Sequence, residues 1–404
     1  MLPLLDGIRI LDLCKLIPGG LATAKLADLG AEVIKIEEPP LGDYIRGAPP
    51  LVNGLSYWDL SINRNKKSVG LNLKTDEGRR IFFELLQTAD AVVEVSKPGT
   101  FDKLGIDYES LRAVKPDLVY CSITGYGQTG PYRKLPSHGK NIDAASAGVR
   151  VRRDENGRLR VGGSASMSID LGSMHAALGV VSAIVHKLRT GEGQYLDISL
   201  WDAAVASNRA LGTAVLFGGK TVAVDPFQKG SANSGPKYAP YVTKDDKMLL
   251  IAPVERKFWV SFCAVIGRED WKDRGDWSTR PMDLGTGDEE LADGLTEIIA
   301  TRTLEDWLDV LLAADVPAAP VLSAEDLADN PHTEARGIIV DSADPRYPDV
   351  KYLRIPIELP GVPFSATPPP ALGEHTAEIL GSLGYDGAAR ARLLAAGAIA
   401  EATS

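Results

Sequence analysis

Cysteine is scarce: Cys14, Cys121 and Cys263 are the three in 404 residues, far apart and without CxxC spacing. Such a set supports neither a disulfide framework nor a zinc site, and it fits a reducing compartment. Aromatic residues make up 6% of the chain, and nothing in their placement marks a site for a sugar or a sterol. Positive charge is in deficit, with 44 Lys and Arg against 54 Asp and Glu and a net charge of −10. That balance argues against a general phosphate-backbone binder, so nucleic acid is not an expected partner; a local basic pocket for one phosphorylated ligand stays open. The N-terminus lacks the basic start and apolar run of a secretory signal. The longest apolar stretches are expected to break at charges before membrane-spanning length. A soluble, cytoplasmic protein with no membrane partner is the expectation.

The length exceeds what one hydrophobic core usually holds and implies two domains or more. The first half alternates between strand and helix patterns. Ile8 to Leu13 reads as a short buried strand, Pro18-Gly19-Gly20 as a turn, Leu21 to Leu29 as a helix and Ala31 to Glu37 as a second strand. Lys67 to Leu73 (strand), Thr75 to Ala89 (helix), Ala91 to Val95 (strand) and Asp117 to Ile123 (strand) continue the alternation. Such repetition points to an α/β, doubly wound parallel sheet. A dinucleotide-binding protein is the obvious rival, since Glu37 ends the second strand where a ribose-binding acid would stand. The first turn, however, reads Leu16-Ile17-Pro18-Gly19-Gly20-Leu21-Ala22 and holds no GxGxxG, which leaves that reading well behind.

Asp170 is the candidate catalytic group. It follows Gly162-Gly163-Ser164-Ala165-Ser166-Met167-Ser168-Ile169 and opens the apolar helix that begins Leu171-Gly172-Ser173. A glycine-rich approach to a helix with a carboxylate at its mouth combines N–H donors, a positive dipole end and a nucleophile. Asp is also a preferred N-cap, worth about 1 kcal/mol without any chemistry, and position alone does not decide between the two. The helix is expected to bury Met174, Leu178, Val181, Ile184, Val185 and Leu188.

Several segments together resemble the family III CoA-transferases (the CaiB/BaiF family), which include formyl-CoA transferase, carnitine CoA-transferase and the α-methylacyl-CoA racemases. They are Leu5-Asp6-Gly7-Ile8-Arg9-Ile10-Leu11-Asp12-Leu13, residues 26–37, Asn63-Arg64-Asn65-Lys66-Lys67-Ser68, residues 122–132, Thr190-Gly191-Glu192-Gly193-Gln194 and Val316-Pro317-Ala318-Ala319-Pro320-Val321. The resemblance implies a large Rossmann-like domain, a small α/β domain and an interlocked homodimer. The small domain is placed at 222–324, after a first part of the large domain at 1–221, and residues 325–404 would return to the large domain. The loop 230–235 and the pair Phe258-Trp259 are similar to family positions in the small domain.

The resemblance also places the family nucleophile on Asp170. The implied reaction moves CoA between an acyl-CoA thioester and a carboxylic acid through an aspartyl-linked intermediate, with coenzyme A as substrate and no metal. CoA-binding positions would be Leu16, Ile17, Pro18, Leu71, Lys74, Val95, Ser96, Lys97 and Lys103. His138 falls where the racemase branch has a catalytic histidine, so the alternative is a 2-methylacyl-CoA racemase in which His138 and Asp170 move the α-proton. Gly139 follows His138 where racemases have Asp, and Ile17 replaces a glutamine common in transferases. A CoA-ester binding protein without catalysis is disfavoured by the intact Asp170. Retention of a full small domain and C-terminal segment favours transfer.

Overall fold

Strand and helix alternate from Arg9 onward because buried apolar runs are separated by capped amphipathic segments. The computed structural model describes residues 1–404 except 53, 163–166, 217, 219–233, 279–280, 346 and 403–404. Its main sheet contains β1 Arg9–Asp12, β2 Glu32–Glu37, β3 Lys67–Leu71, β4 Ala91–Glu94, β5 Val119–Thr124, β6 Tyr195–Ser199 and β7 Ile399–Ala400. Side by side they run β7-β3-β2-β1-β4-β5-β6. Every neighbouring pair is parallel except β7 with β3. The order reverses between β1 and β4, a topological switch point where open α/β sheets bind ligands at their carboxyl ends.

Local chemistry explains the elements. All four residues of β4 are buried, as a central strand covered on both faces requires. Helix α2, Asp76–Gln87, starts where Thr75 Oγ1 accepts the Gly78 N–H at 3.0 Å, and it buries Ile81, Phe82, Leu85 and Leu86 on one face. Helix α1, Ile17–Asp28, begins four residues before Leu21, so Pro18, Gly19 and Gly20 belong to its first turn instead of a separate turn. Proline suits that place because the first N–H groups of a helix have no partner to lose. Gly19 is required by close approach: a Cβ there would lie 2.3 Å from Cys14 Sγ and 2.5 Å from Val95 Cγ1.

Helices α3, Tyr108–Val114, and α4, Gly139–Ala145, precede α5, Met167–Thr190, and α6, Leu200–Ala206, follows β6. The expected burial of α5 is corrected. Of the expected set Ile184 is buried and Val181 half-buried, whereas Met174, Leu178, Val185 and Leu188 are exposed; the rest of the buried face is mostly small, with Gly172, Ser173, Ala176, Ala177, Val180 and Ala183. Both faces are apolar, so periodicity could not say which one packs; closeness selects the small one. A Cβ on Gly172 would sit 2.2 Å from Leu200 Cδ2 of α6. Contrary to the sequence expectation, α5 is also long and apolar enough to cross a membrane, but half of its most apolar window is buried within the protein.

The chain divides into a large unit, Met1–Asn208 with Gly337–Ser404, and a small unit, Arg209–Arg336. The small unit has an antiparallel sheet of Ala239–Val242, Met248–Ile251 and Ala318–Pro320. Trp259, Phe262, Leu295 and Trp307 form its core. Lys237 is buried there, 2.6 Å from Asp283 and 4.3 and 4.4 Å from the rings of Trp259 and Trp277. Of the loop 230–235, residues 230–233 lie outside the described residues.

Candidate active site

At the switch point the chain leaves β1 and turns into α1 through Leu16, whose φ of 65° and ψ of −165° lie in a region that residues with a Cβ avoid. Such a conformation costs of order 1–3 kcal/mol and persists where its surroundings hold it. Here the Leu16 N–H donates to Asp43 Oδ2 at 3.0 Å. Asp43 is fixed in turn by Lys35 Nζ at 3.0 Å, and the same ammonium donates to the Cys14 carbonyl at 2.8 Å. Both side chains are fully buried. Burial alone would lower Lys35, but Asp12 and Asp43 reverse this and raise it. Sequence reasoning missed this brace; the available signal was a lysine in the middle of the buried run Val33-Ile34-Lys35-Ile36.

A second buried pair lies beneath it. Lys66 Nζ reaches Asp12 Oδ2 at 2.9 Å, Thr23 Oγ1 at 2.8 Å and Asn63 Oδ1 at 3.0 Å. Burial pushes Asp12 up, yet the Lys66 and Lys35 cations overcome it and hold the carboxyl at about 2. The remaining residues of the Asn63 to Ser68 motif are equally committed. Arg64 and Asn65 bind the buried Asp28, and Ser68 Oγ donates to Glu37 Oε2 at 2.5 Å. The motif is therefore a structural node under the site and does not line it.

Two adjoining cavities open over these strand ends. The first, about 350 Å³, is lined by Lys15, Leu16, Ile17, Pro18, Tyr44 and Val95 on one side and by Thr124, Ser137, His138, Ile142, Ile169 and Leu200 on the other. The second, about 440 Å³, shares Lys15, Leu16, Tyr44 and Val95 with it and adds Leu71, Leu73, Lys74, Ser96, Lys97, Phe101 and Leu104. Eight of the nine sequence-predicted CoA positions thus line one continuous cleft. Lys103 lines a neighbouring cavity of about 640 Å³ with Lys97, Thr100, Arg133 and Lys134, of which Lys97 and Thr100 also line the second cavity. Lys74 is paired with Glu38, and Lys15 lies 3.8 Å from the same carboxylate. The cleft combines apolar walls, a helix N-terminus and several cations, which suits a long ligand with phosphates at one end.

Asp170 is exposed in the first turn of α5, and the helix begins at Met167. It is therefore not the N-cap, and the capping explanation for this carboxylate falls away. Residues 163–166 of the glycine-rich approach, with the N–H donors expected there, lie outside the described residues. The head of α5 is stitched to α4: the Ser168 N–H donates to Asp143 Oδ1 at 2.9 Å. Ser173 Oγ donates to the Pro18 carbonyl at 2.8 Å and so fastens α5 to the first turn of α1. His138, exposed, stands immediately before α4, with its N–H on Asn141 Oδ1 at 2.6 Å. Ser168 Oγ also donates to the Gly139 carbonyl at 3.4 Å, which holds the starts of α4 and α5 together; His138 and Ile169 share a cavity wall, and Asp170 is the next residue along. On α1, burial and then Arg64 bring Lys25 down to about 8, against the pull of Asp170 and Asp28.

A family model described as CoA-transferase family III matches residues 5–376. The chain belongs to the family III CoA-transferases. Succinate–glutarate CoA-transferase of Agrobacterium fabrum is 34% identical over 398 residues, covering 94% of this chain and 96% of that protein. Human succinyl-CoA:glutarate CoA-transferase is 32% identical over 404 residues, covering 98% and 90%. The crystal structure of a CaiB/BaiF family protein from Brucella suis superposes with a TM-score of 0.75 at 28% identity, covering 94% of this chain and 99% of that one. A Mycobacterium tuberculosis protein in its orthorhombic form gives a TM-score of 0.76 at 26% identity, covering 92% and 98%. As a family III CoA-transferase the protein is an enzyme that takes CoA thioesters as substrates and transfers CoA to carboxylates.

Proposed function

We propose that this CoA-transferase works through a covalent intermediate on Asp170 and that short dicarboxylic acids are its acyl groups and acceptors. The observation that carries the first part is the placement of Asp170, one residue beyond a wall of the CoA cleft and inside the first turn of a helix braced on two sides. A carboxylate on such a braced helix is held in place, as a nucleophile requires. An Asp170 oxygen attacks the thioester carbonyl, the C–S bond breaks, and CoA thiolate leaves a mixed anhydride. The thiolate attacks the aspartyl carbonyl, releases the donor acid and forms an aspartyl thioester. The acceptor carboxylate then attacks the aspartyl carbonyl, the C–S bond breaks and CoA thiolate leaves a second mixed anhydride; the thiolate attacks the acceptor carbonyl of that anhydride, forming the new acyl-CoA and freeing the Asp170 carboxylate. No proton is gained or lost overall, and no metal or redox cofactor is required.

The second part rests on the relatives, which are named for succinate, glutarate, oxalate and mesaconate. We also propose that the active form is a homodimer. Met174, Leu178, Val181, Val185 and Leu188 recur along α5 at alternating four- and three-residue spacing, the pattern of a helix seam, and four of the five are exposed. A second copy of the chain is the occupant that the family resemblance supplies. The cysteines are buried and unpaired, which supports a reducing, cytoplasmic setting.

The test is mass spectrometry of the protein with succinyl-CoA and free dicarboxylic acids, with hydroxylamine as trap. A hydroxamate or CoA adduct is expected on the peptide that holds Asp170 and is expected to vanish in Asp170→Ala. Turnover without any adduct in a trapping experiment that captures a control acyl-enzyme would rule out the covalent route.

A further inference from the structure

Glu94 ends β4 with 4% of its surface exposed, and none of the steps on Asp170 uses it. Four buried acids of the large unit, Asp12, Asp28, Glu37 and Asp43, each face a Lys or Arg. Glu94 is instead surrounded by neutral donors, and burial pushes its carboxyl up to about 7. Its two oxygens hold two different segments. One accepts the Ser96 N–H, two residues on, and so closes the turn of Val95, Ser96 and Lys97 that lines the CoA cleft. The other accepts the Ser122 hydroxyl across the pairing of β4 with β5. Ser122 Oγ also receives Gln128 Nε2 at 2.8 Å, and the Gln128 N–H goes to Asp197 Oδ2 of β6 at 3.0 Å. Glu94 is the point at which the turn after β4 is tied to the segment after β5.

We propose that Glu94 is a positioning residue for the CoA thioester, fixing the turn 95–97 against the cleft through Ser96 and anchoring it through Ser122 and Gln128. This rests on the reading of that cleft as the CoA site. The titratable and charged groups around Glu94 are the Tyr120 and Tyr195 phenols, the Cys121 thiol, the Asp197 carboxylate beyond Gln128 and, around a shared cavity, Lys97, Asp102, Asp107, Tyr108 and Glu109. Burial, with Glu94 adding to it, raises both phenols and the thiol, which leaves them protonated when the carboxyl ionises. Below neutrality the carboxyl gives its own O–H to Ser122; above it, the anion accepts from both donors and grips the Ser96 N–H more strongly.

Calorimetric titration with free CoA at pH 6 and pH 8, on wild type, Glu94→Gln and Glu94→Ala, tests this together with KM and kcat for transfer. Glu94→Gln imitates the protonated acid. It is expected to match wild type at pH 6 and to bind CoA about five- to tenfold more weakly at pH 8, with KM for the acyl-CoA following and kcat changing far less. Glu94→Ala is expected to be weaker at both; if it does not fold, the Glu94→Gln comparison decides. Equal CoA affinity in all folded variants, a loss confined to kcat, or a pH-independent loss accompanied by a lower melting temperature overturns the positioning role and leaves the transferase reading standing. Wild type that fails to bind CoA sinks both.

Discussion

The Asp43 carboxylate accepts the backbone N–H of Leu16 at 3.0 Å, and this bond holds the entry to α1 in its unfavourable conformation. Asp43→Ala would leave that N–H without its acceptor and the buried Lys35 ammonium without its paired carboxylate, with only the Cys14 carbonyl still accepting from it. A stability loss of about 3–5 kcal/mol is expected from urea denaturation, along with an increase of roughly tenfold in KM for the acyl-CoA as the Leu16 turn relaxes. An unchanged urea midpoint would show that the brace does not hold the turn.

Asp170→Asn preserves shape and removes the nucleophile. Transfer is expected to fall by about a thousandfold or more in kcat, with CoA affinity within about threefold of wild type, because the side chain acts on the reacting carbonyl and does not line the cleft. Steady-state kinetics and calorimetry read the two numbers separately. Retention of more than a tenth of the activity would remove Asp170 from the mechanism.

His138 lines the first cavity but is exposed, and nothing in the transfer steps requires a base. His138→Ala is expected to cost less than about tenfold in transfer. Wild type with a 2-methylacyl-CoA in deuterium oxide is expected to incorporate no label at the α-carbon. Label that appears in wild type and disappears in His138→Ala would favour racemisation.

The Asp12 and Lys66 pair predicts a pH dependence of stability. Asp12 is held at about 2 in the folded chain, below the ordinary aspartate value of about 3.9. A depressed carboxylate contributes stability that is complete above about pH 4 and is lost as pH falls through about 2, of order 2–3 kcal/mol. In Lys66→Met the deficit relative to wild type is expected to be largest near pH 7 and to shrink as Asp12 protonates at lower pH. Chemical denaturation followed across that range checks the sign; a deficit that grew on acidification would contradict it.

The exposed α5 seam makes its own prediction. Leu178→Glu with Leu188→Glu places two charges on a face proposed to be covered by a second chain, where each buried leucine would contribute about 1.5–3 kcal/mol. Multi-angle light scattering is expected to show a dimer for wild type and a monomer for the double variant. A dimer that survives both changes would move the interface off α5.

Much of this was legible in the residues. Parallel strands could be read because Ile10, Val33, Val92 and Val119 sit in short buried apolar runs bounded by turn residues, and the candidate CoA positions converged because turns after parallel strands lie at one end of a sheet. Lys103, in the short 3-10 helix Asp102–Leu104, lines the adjoining cavity instead. The face of α5 was misjudged because alanine and glycine score as weakly apolar, although their smallness is what brings helices together. Asp43, Lys35 and Glu94 went unnoticed for a different reason. A buried ionisable side chain, whether inside a strand like Lys35 and Glu94 or at a helix start like Asp43, looks like an interruption until its partner is known.

The edge strand β7 carries a consequence for biosynthesis. Gly70 of β3 lies so close to Ala400 that a Cβ would come within 2.6 Å of its carbonyl oxygen, a contact between residues 330 positions apart. Because synthesis proceeds from the N-terminus and domains tend to fold as they emerge, residues 209–336 are complete while the large sheet still lacks its last strand. Until Ile399 and Ala400 arrive, β3 presents an unpaired edge. The nascent chain is therefore most prone to wrong pairing after the cleft-forming strands are all present and before β7 has been added.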